Sequence, residues 1–225
     1  MTKPKKVSVE EEAAFKDNAA ALLSLAEVDL TRIEIEQEQL ELRRDRRKFD
    51  FESSCDFESN FYVFDDAVTE SEVCLCKSTL RRMSRLRPRS PITIELNSGG
   101  GSIIDGFSLM DEIIRLKSKG HHITIRVQGQ AASMAAVLLQ VADRREIGRN
   151  SFLMIHRAAF GAIGKSYEIE DEIEFVRKLE HQIATTFSNA SGRPVEDFKD
   201  FFDKRRDVWF DAEEALANKL VDAIV

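Results

Sequence analysis

At 225 residues the chain fits one domain of ordinary size with an appendage, and 43% hydrophobic residues suffice for a packed core. A net charge of −7 argues against general affinity for nucleic acid. Three cysteines, Cys55, Cys74 and Cys76, are an odd number at spacings that suit no common zinc site, so they read as reduced thiols and no metal or other cofactor is expected.

Residues 8–50 hold no Gly or Pro and are rich in Glu, Gln, Arg, Ala and Leu, which is helix composition. Leu23, Ala26, Leu30, Ile33, Gln37 and Leu40 recur at alternating steps of three and four. That spacing predicts either a coiled-coil seam or an amphipathic helix lying on its own protomer. The cluster Arg43-Arg44-Asp45-Arg46-Arg47-Lys48 reads as a solvated helix end. The basic start, Met1 to Lys6, leads into Glu10-Glu11-Glu12 without an apolar signal core, and no 18-residue apolar run follows. A soluble, cytoplasmic protein with no membrane partner is the expectation. Residues 51–60 read as a linker, which sets an N-terminal helical extension over 1–58 and a second domain over 59–225.

Phe61-Tyr62-Val63-Phe64 reads as the first strand, and Glu70 to Leu86 as a helix broken by Arg87-Pro88. Ile92, Ile94 and Leu96 alternate with Thr93 and Glu95, as in a strand. Residues 105–119 have helical apolar spacing and stop at Gly120. Ile123-Thr124-Ile125-Arg126-Val127 is β-like and leads into Gly129-Gln130-Ala131-Ala132-Ser133-Met134-Ala135-Ala136, after which Val137-Leu138-Leu139 is helix-like. Strands separated by helices imply a parallel sheet. Phe152 to His156 is a strand, 158–165 a glycine-spaced extended segment, and 167–191 a long helix. A short helix over 195–204, a strand over 207–210 and a last helix capped by Asp211 complete the chain.

Ser133 therefore sits where a strand gives way to a helix. One reading makes it the N-cap of a tightly packed helix. The other makes it a nucleophile, exposed at a turn with backbone N–H groups converging beside it. A serine hydroxyl needs a neutral imidazole to take its proton. Of the four histidines, His121 and His122 read as solvated in the loop after Gly120, and His181 as exposed on the long helix. His156 ends a strand, where α/β sheets build their sites. The N–H of Met134 lies next to any oxyanion for geometric reasons. The third member of a triad would be a carboxylate, which spacing does not single out.

Three ordered motifs, Asn97-Ser98-Gly99-Gly100-Gly101, Gly129-Gln130-Ala131-Ala132-Ser133-Met134 and Met154-Ile155-His156, resemble those of ClpP, the Clp protease proteolytic subunit family. The resemblance covers roughly residues 60–225. It implies an α/β ClpP/crotonase-like fold of repeated ββα units, with the helix over 167–191 as a protruding handle and the N-terminal helical extension added on. It implies a serine endopeptidase acting on unfolded or extended polypeptides, with Ser133, His156 and Asp207 as the triad. Asp207 is taken from the Arg206-Asp207 pair ahead of the last strand, with Asp203 as the fallback. Gly101 and Met134 would supply the oxyanion donors, and Gly100, Ser102 and Ile103 would bind substrate. Gly99 stands where the family has proline, and so does Ala158.

A homo-oligomer is also implied, a heptameric ring or tetradecamer fed by an AAA+ unfoldase. The family lines its unfoldase-docking pocket with apolar side chains. Here Thr93 and Glu95 and, on the following helix at or near Arg115, a guanidinium fall at those places, so an altered pocket is expected, with a Glu95–Arg115 salt bridge as one way to close it; an alignment shifted by one turn would instead put an apolar residue such as Ile114 there. Rival readings on the same fold are a self-contained phage capsid-maturation protease and a catalytically inactive subunit of a mixed ring.

Overall fold

The structure, a computed structural model, describes residues 54–225 apart from 160, 162, 204 and 205, together with residues 32, 37 and 38. The seam read over residues 23–40, save Gln37, and the basic cluster over 43–48 lie outside the described residues. The chain divides after Ser53, and the second unit, Ser54–Val225, holds the whole sheet.

Eight strands form that sheet: β1 (Cys55–Asp56), β2 (Phe61–Phe64), β3 (Ile92–Ser98), β4 (Ile123–Ala132), β5 (Arg144–Ile147), β6 (Phe152–Ile155), β7 (Val208–Phe210) and β8 (Ala223–Ile224). Six helices are described: α1 (Glu70–Leu86), α2 (Ile103–Ser118), α3 (Met134–Leu139), α4 (Ser166–Ser191), α5 (Val195–Asp203) and α6 (Ala212–Ala217). The main path runs β1-β2-β3-β4-β5-β8 and is parallel from β2 onward. Antiparallel pairs occur at β1–β2 and β6–β7. This is a mixed α/β architecture.

Local chemistry explains most element ends. Thr69 and Ser102 cap α1 and α2 by accepting from Glu72 and Asp105 backbone N–H groups at 3.4 and 3.3 Å. Asp211 and Glu214 form a reciprocal capping box on α6. Gly192, at φ 71°, stops α4 in the left-handed region. In β3, Ile92, Ile94, Leu96 and Ser98 are buried in strict alternation. The core then closes around the six buried residues of α3, with α1 and α2 packed on each other.

One strand serves two partners. The first half of β4 pairs with β5 through residues 124–127, and its end pairs with β6 through residues 130–132. The switch falls at a register shift against β3, between Leu96 and Ser98. Asn97 bridges the shift, accepting from Gln130 N–H at 3.1 Å and donating to Asp65 at 2.7 Å. Gly129 sits under it at φ 95°, where an added Cβ would come within 2.6 Å of Asn97 Oδ1.

Several features depart from the sequence expectation. β5 was not expected, because Arg144-Arg145-Glu146 has no strand pattern. Its charges are paired instead: Glu146 meets Arg126 at 2.8 Å and Arg144 at 2.6 Å, and buried Arg145 binds Asp222 and Gln140. His121 is buried, not solvated; its Nδ1–H donates to the Ser90 carbonyl at 2.8 Å and its Nε2 lies 2.8 Å from Ser84 Oγ. Both ring nitrogens are thereby satisfied, which is what permits burial. Arg115 does not reach for Glu95. It pairs with Glu112 one turn back on α2, which Arg81 of α1 also binds at 2.7 Å.

Glu112 is buried, and burial pushes its carboxyl up, but hydrogen bonds from Arg81 and Arg115 outweigh it and hold the group below the usual carboxylate range. A carboxyl lowered in the folded state stabilises the fold above its unfolded value of about 4.3. That contribution is lost as pH falls through the lowered folded value. Thermal melts between about pH 6 and about pH 3 should therefore show a steeper loss of Tm below about pH 4.3 in the wild type than in Glu112→Gln. Parallel profiles would remove the triad of charges from the account.

Candidate active site

The end of β4 delivers Ser133 at φ 55°, ψ −123°, a conformation costly for a residue with a Cβ. Its N–H donates to the Met154 carbonyl of β6 at 2.9 Å, which continues the β4–β6 pairing past the last ladder residue. Ser133 occupies the N-cap place of α3, yet its side chain makes no capping bond. Its Oγ lies 2.7 Å from His156 Nε2 instead. The hydroxyl is thus committed to an imidazole and not to the helix end.

His156 follows β6, and Asp207 precedes β7. The antiparallel register pairs Ile155 with Val208, so the next pair along the ladder is His156 opposite Asp207. Asp207 Oδ1 stands 3.6 Å from His156 Nδ1, an ion-pair distance longer than a hydrogen bond. The Asp207 side chain is 57% exposed against 28% for His156. Asp203 ends α5, and its side chain lies outside the described residues. His122 and His181 are exposed.

The glycine loop packs directly on the nucleophile turn. Gly100, at φ 89°, lies so close that an added Cβ would meet Ala132 O at 2.6 Å, Ser133 Cβ at 2.7 Å and Met134 N at 2.9 Å. Val68 pins the loop on its other side: its N–H donates to Gly100 O and its carbonyl accepts from Ser102 N–H, both at 2.8 Å. This isolated parallel bridge turns the N–H and C=O of Gly101 away from Val68. Gly101 itself is at φ 149° and too close to Val68 O for any side chain. Val68 had no sequence signal, since a single bridge across a gap of 33 residues leaves no periodic trace.

Beside Ser133 and His156 opens an apolar pocket lined by Ile103 of α2, Val137 of α3, Ile183 and Phe187 of α4, and Phe202 of α5. Phe202 has no signal in the sequence beyond that of ordinary helix core, whereas Phe187 is among the apolar residues of the long helix whose surplus is expected to face another protomer; it is buried within its own. Among the described residues, no group of three or more His, Cys, Asp or Glu could hold a metal ion.

A serine on a strained strand-to-helix turn thus lies against the histidine that follows the neighbouring strand, in a chain of mixed α/β fold. The Clp protease family model matches residues 59–225, and the chain belongs to that family. A protein of Bacillus licheniformis called ATP-dependent Clp protease proteolytic subunit 2 is 34% identical over 136 residues, covering 60% of this chain and 69% of the relative. Its namesake in Chlamydia pneumoniae is 36% identical over 140 residues, covering 61% of this chain and 66% of the relative. A Chlamydia caviae protein called ATP-dependent Clp protease proteolytic subunit 1 is 31% identical over 166 residues, or 72% and 84% of the two chains. The chain thus spans about two thirds of the length of the first two relatives. Among the described residues no helix is long and apolar enough to cross a membrane.

Proposed function

We propose that this chain is a ClpP-like serine endopeptidase that cleaves extended polypeptides and works as a subunit of a homo-oligomeric ring. The observation that carries the reading is the 2.7 Å approach of His156 Nε2 to Ser133 Oγ, on a turn that denies the hydroxyl its ordinary capping role. His156 takes the proton as Ser133 attacks the scissile carbonyl, and returns it to the leaving amine. Asp207 orients the imidazole through Nδ1; from 3.6 Å it must close by several tenths of an ångström, which substrate binding would favour. Gly101 and Met134 N–H groups receive the oxyanion, while Gly100, Ser102 and Ile103 hold the peptide at the loop edge.

The ring is supported by apolar side chains with no cover in one protomer. Ile163, Tyr167 and Phe175 lie exposed on the handle and the segment before it, while burial on α4 begins only at Val176. A standard AAA+ unfoldase seated in an apolar pocket on β3 does not belong to this reading. Thr93 and Glu95 occupy the places on that strand, and Glu95 lies beside Arg126, itself paired to Glu146. An apolar anchor there would forgo about 1.5–3 kcal/mol of burial and strip water from charges.

The test is a fluorophosphonate probe on the full chain, followed by sizing of the labelled species. Labelling at Ser133 in a high-order assembly is expected. Absence of labelling would favour the inactive-subunit reading, which the 3.6 Å separation of Asp207 and His156 would then explain. A fully active monomer at about micromolar concentration would defeat the ring. Added bacterial unfoldase and ATP should leave degradation of a tagged folded substrate at background.

A further inference from the structure

We infer that Arg157 is a positioning residue for the Ser133–His156 pair, acting through an ion pair with Glu180 that fastens the chain just past the histidine to α4. This rests on the serine-peptidase reading above. One charge on α4 sits where an apolar residue is expected. Val176, Ile183 and Phe187 form the buried stripe of that helix, at 5%, 8% and 1% exposure. Glu180 belongs to the same stripe by spacing, four residues after Val176 and three before Ile183. Its side chain is only 13% exposed. A carboxylate so placed needs a partner, and one reaches it from another element: Arg157 Nε donates to Glu180 Oε1 at 3.0 Å.

Arg157 comes directly after His156, where regular pairing has stopped. The last β6–β7 ladder pair is Ile155 with Val208. Among the described residues, no loop hydrogen bond of the backbone holds residues 156–159. The imidazole is therefore kept in place by side chains. Its Nε2 meets Ser133 Oγ at 2.7 Å, while Asp207, at 3.6 Å, is exposed and too far for a hydrogen bond. The guanidinium one residue on supplies a second anchor. It grips a helix whose next stripe residues, Ile183 and Phe187, already stand beside Ser133 and His156. A purely structural role explains the pair less well. Arg157 is 46% exposed, and an ion pair open to water on one side adds little to folding. Leucine at position 180 would simply continue the apolar stripe, and apolar replacement of buried ionic groups is often neutral or stabilising. What the pair does secure is the position of the residue next to Arg157, which is His156. Misplacement of a reacting group by about 1 Å costs about 10²-fold in rate.

The experiment uses the full chain with fluorescently labelled, unfolded casein. Arg157→Ala and Glu180→Leu should each lower kcat about 10–100-fold, with KM within about twofold of wild type. Tm should not fall in Glu180→Leu; a merely structural pair would lose stability and activity together. Arg157→Lys keeps a cation for this single bond and should recover kcat to within about fivefold of wild type. Arg157→Ala combined with Glu180→Leu should be no slower than the slower single variant, since both remove one interaction. Should Arg157→Ala fail to fold, Glu180→Leu decides alone. A kcat within about twofold of wild type in either single variant, a lysine variant as slow as the alanine one, or losses that multiply in the double variant would each overturn the inference. Fluorophosphonate labelling of the same proteins separates the two levels. An unlabelled Ser133 in the wild type defeats the peptidase reading itself. A labelled wild type whose variants label at the same rate defeats only the role of Arg157.

Discussion

Ser133→Ala should lower kcat/KM by about 10⁴–10⁶ while leaving the assembly and its melting temperature nearly unchanged. The size of the loss follows from the role. Alanine keeps the small-residue packing of the 129–136 turn, where Ala131, Ala132, Ala135 and Ala136 are all buried. It removes only the Oγ that lies 2.7 Å from His156. Because Ser133 makes no capping bond to α3, the helix loses nothing. Relief of the positive φ is unavailable to alanine, so no stability gain is expected either. The measurement is peptide hydrolysis with sizing and a thermal melt on the same preparation. Hydrolysis within about tenfold of wild type would sink Ser133 as the nucleophile, since residual activity from binding and oxyanion contacts alone lies orders of magnitude lower.

Gly100→Ala should also be damaging, though less than Ser133→Ala, and for a different reason. At φ 89° the position favours glycine, and the new Cβ would collide with Ala132 O, Ser133 Cβ and Met134 N. Two of those three are backbone atoms held by the β4–β6 pairing and by α3, so the glycine loop is what must yield. As it lifts, it would carry the Gly101 N–H away from the place proposed for the oxyanion. Loss of one such donor costs about 10²–10³ in kcat, and the strained backbone about 1–3 kcal/mol in stability. The signature is a fall in kcat larger than any rise in KM, with a lower Tm but an intact fold. Activity within about threefold of wild type would mean the loop does not shape the oxyanion site.

Both predictions rest on residues that stand out in the chain before any fold is known. Short-range order explains why. The alternation of Ile92, Ile94 and Leu96, the Asp211–Glu214 capping box and the strand–turn–helix around Ser133 are each written within about two turns of chain, where local sterics and hydrogen bonding decide the outcome. His156 at a strand end belongs with them. So does the glycine run, whose conformations no other residue adopts cheaply.

What the chain did not reveal by itself depends on partners far away in sequence. β5 reads as charged coil because its stability comes from Arg126 on β4 and Asp222 near the C-terminus. His121 reads as solvated because its two hydrogen-bond partners, Ser84 and Ser90, lie more than thirty residues upstream. Arg115 could have met Glu95 or Glu112; only packing of α1 on α2 places Glu112 between two guanidiniums. The same holds at the site. Local sequence sets Ser133 on its turn and His156 at its strand end. The β4 switch from β5 to β6 and the β6–β7 register decide that they meet, and that Asp207 faces the far side of the imidazole. Hydrogen-bonded pairing between strands that are distant in the chain leaves no period in the sequence, and so it is settled only when the core closes.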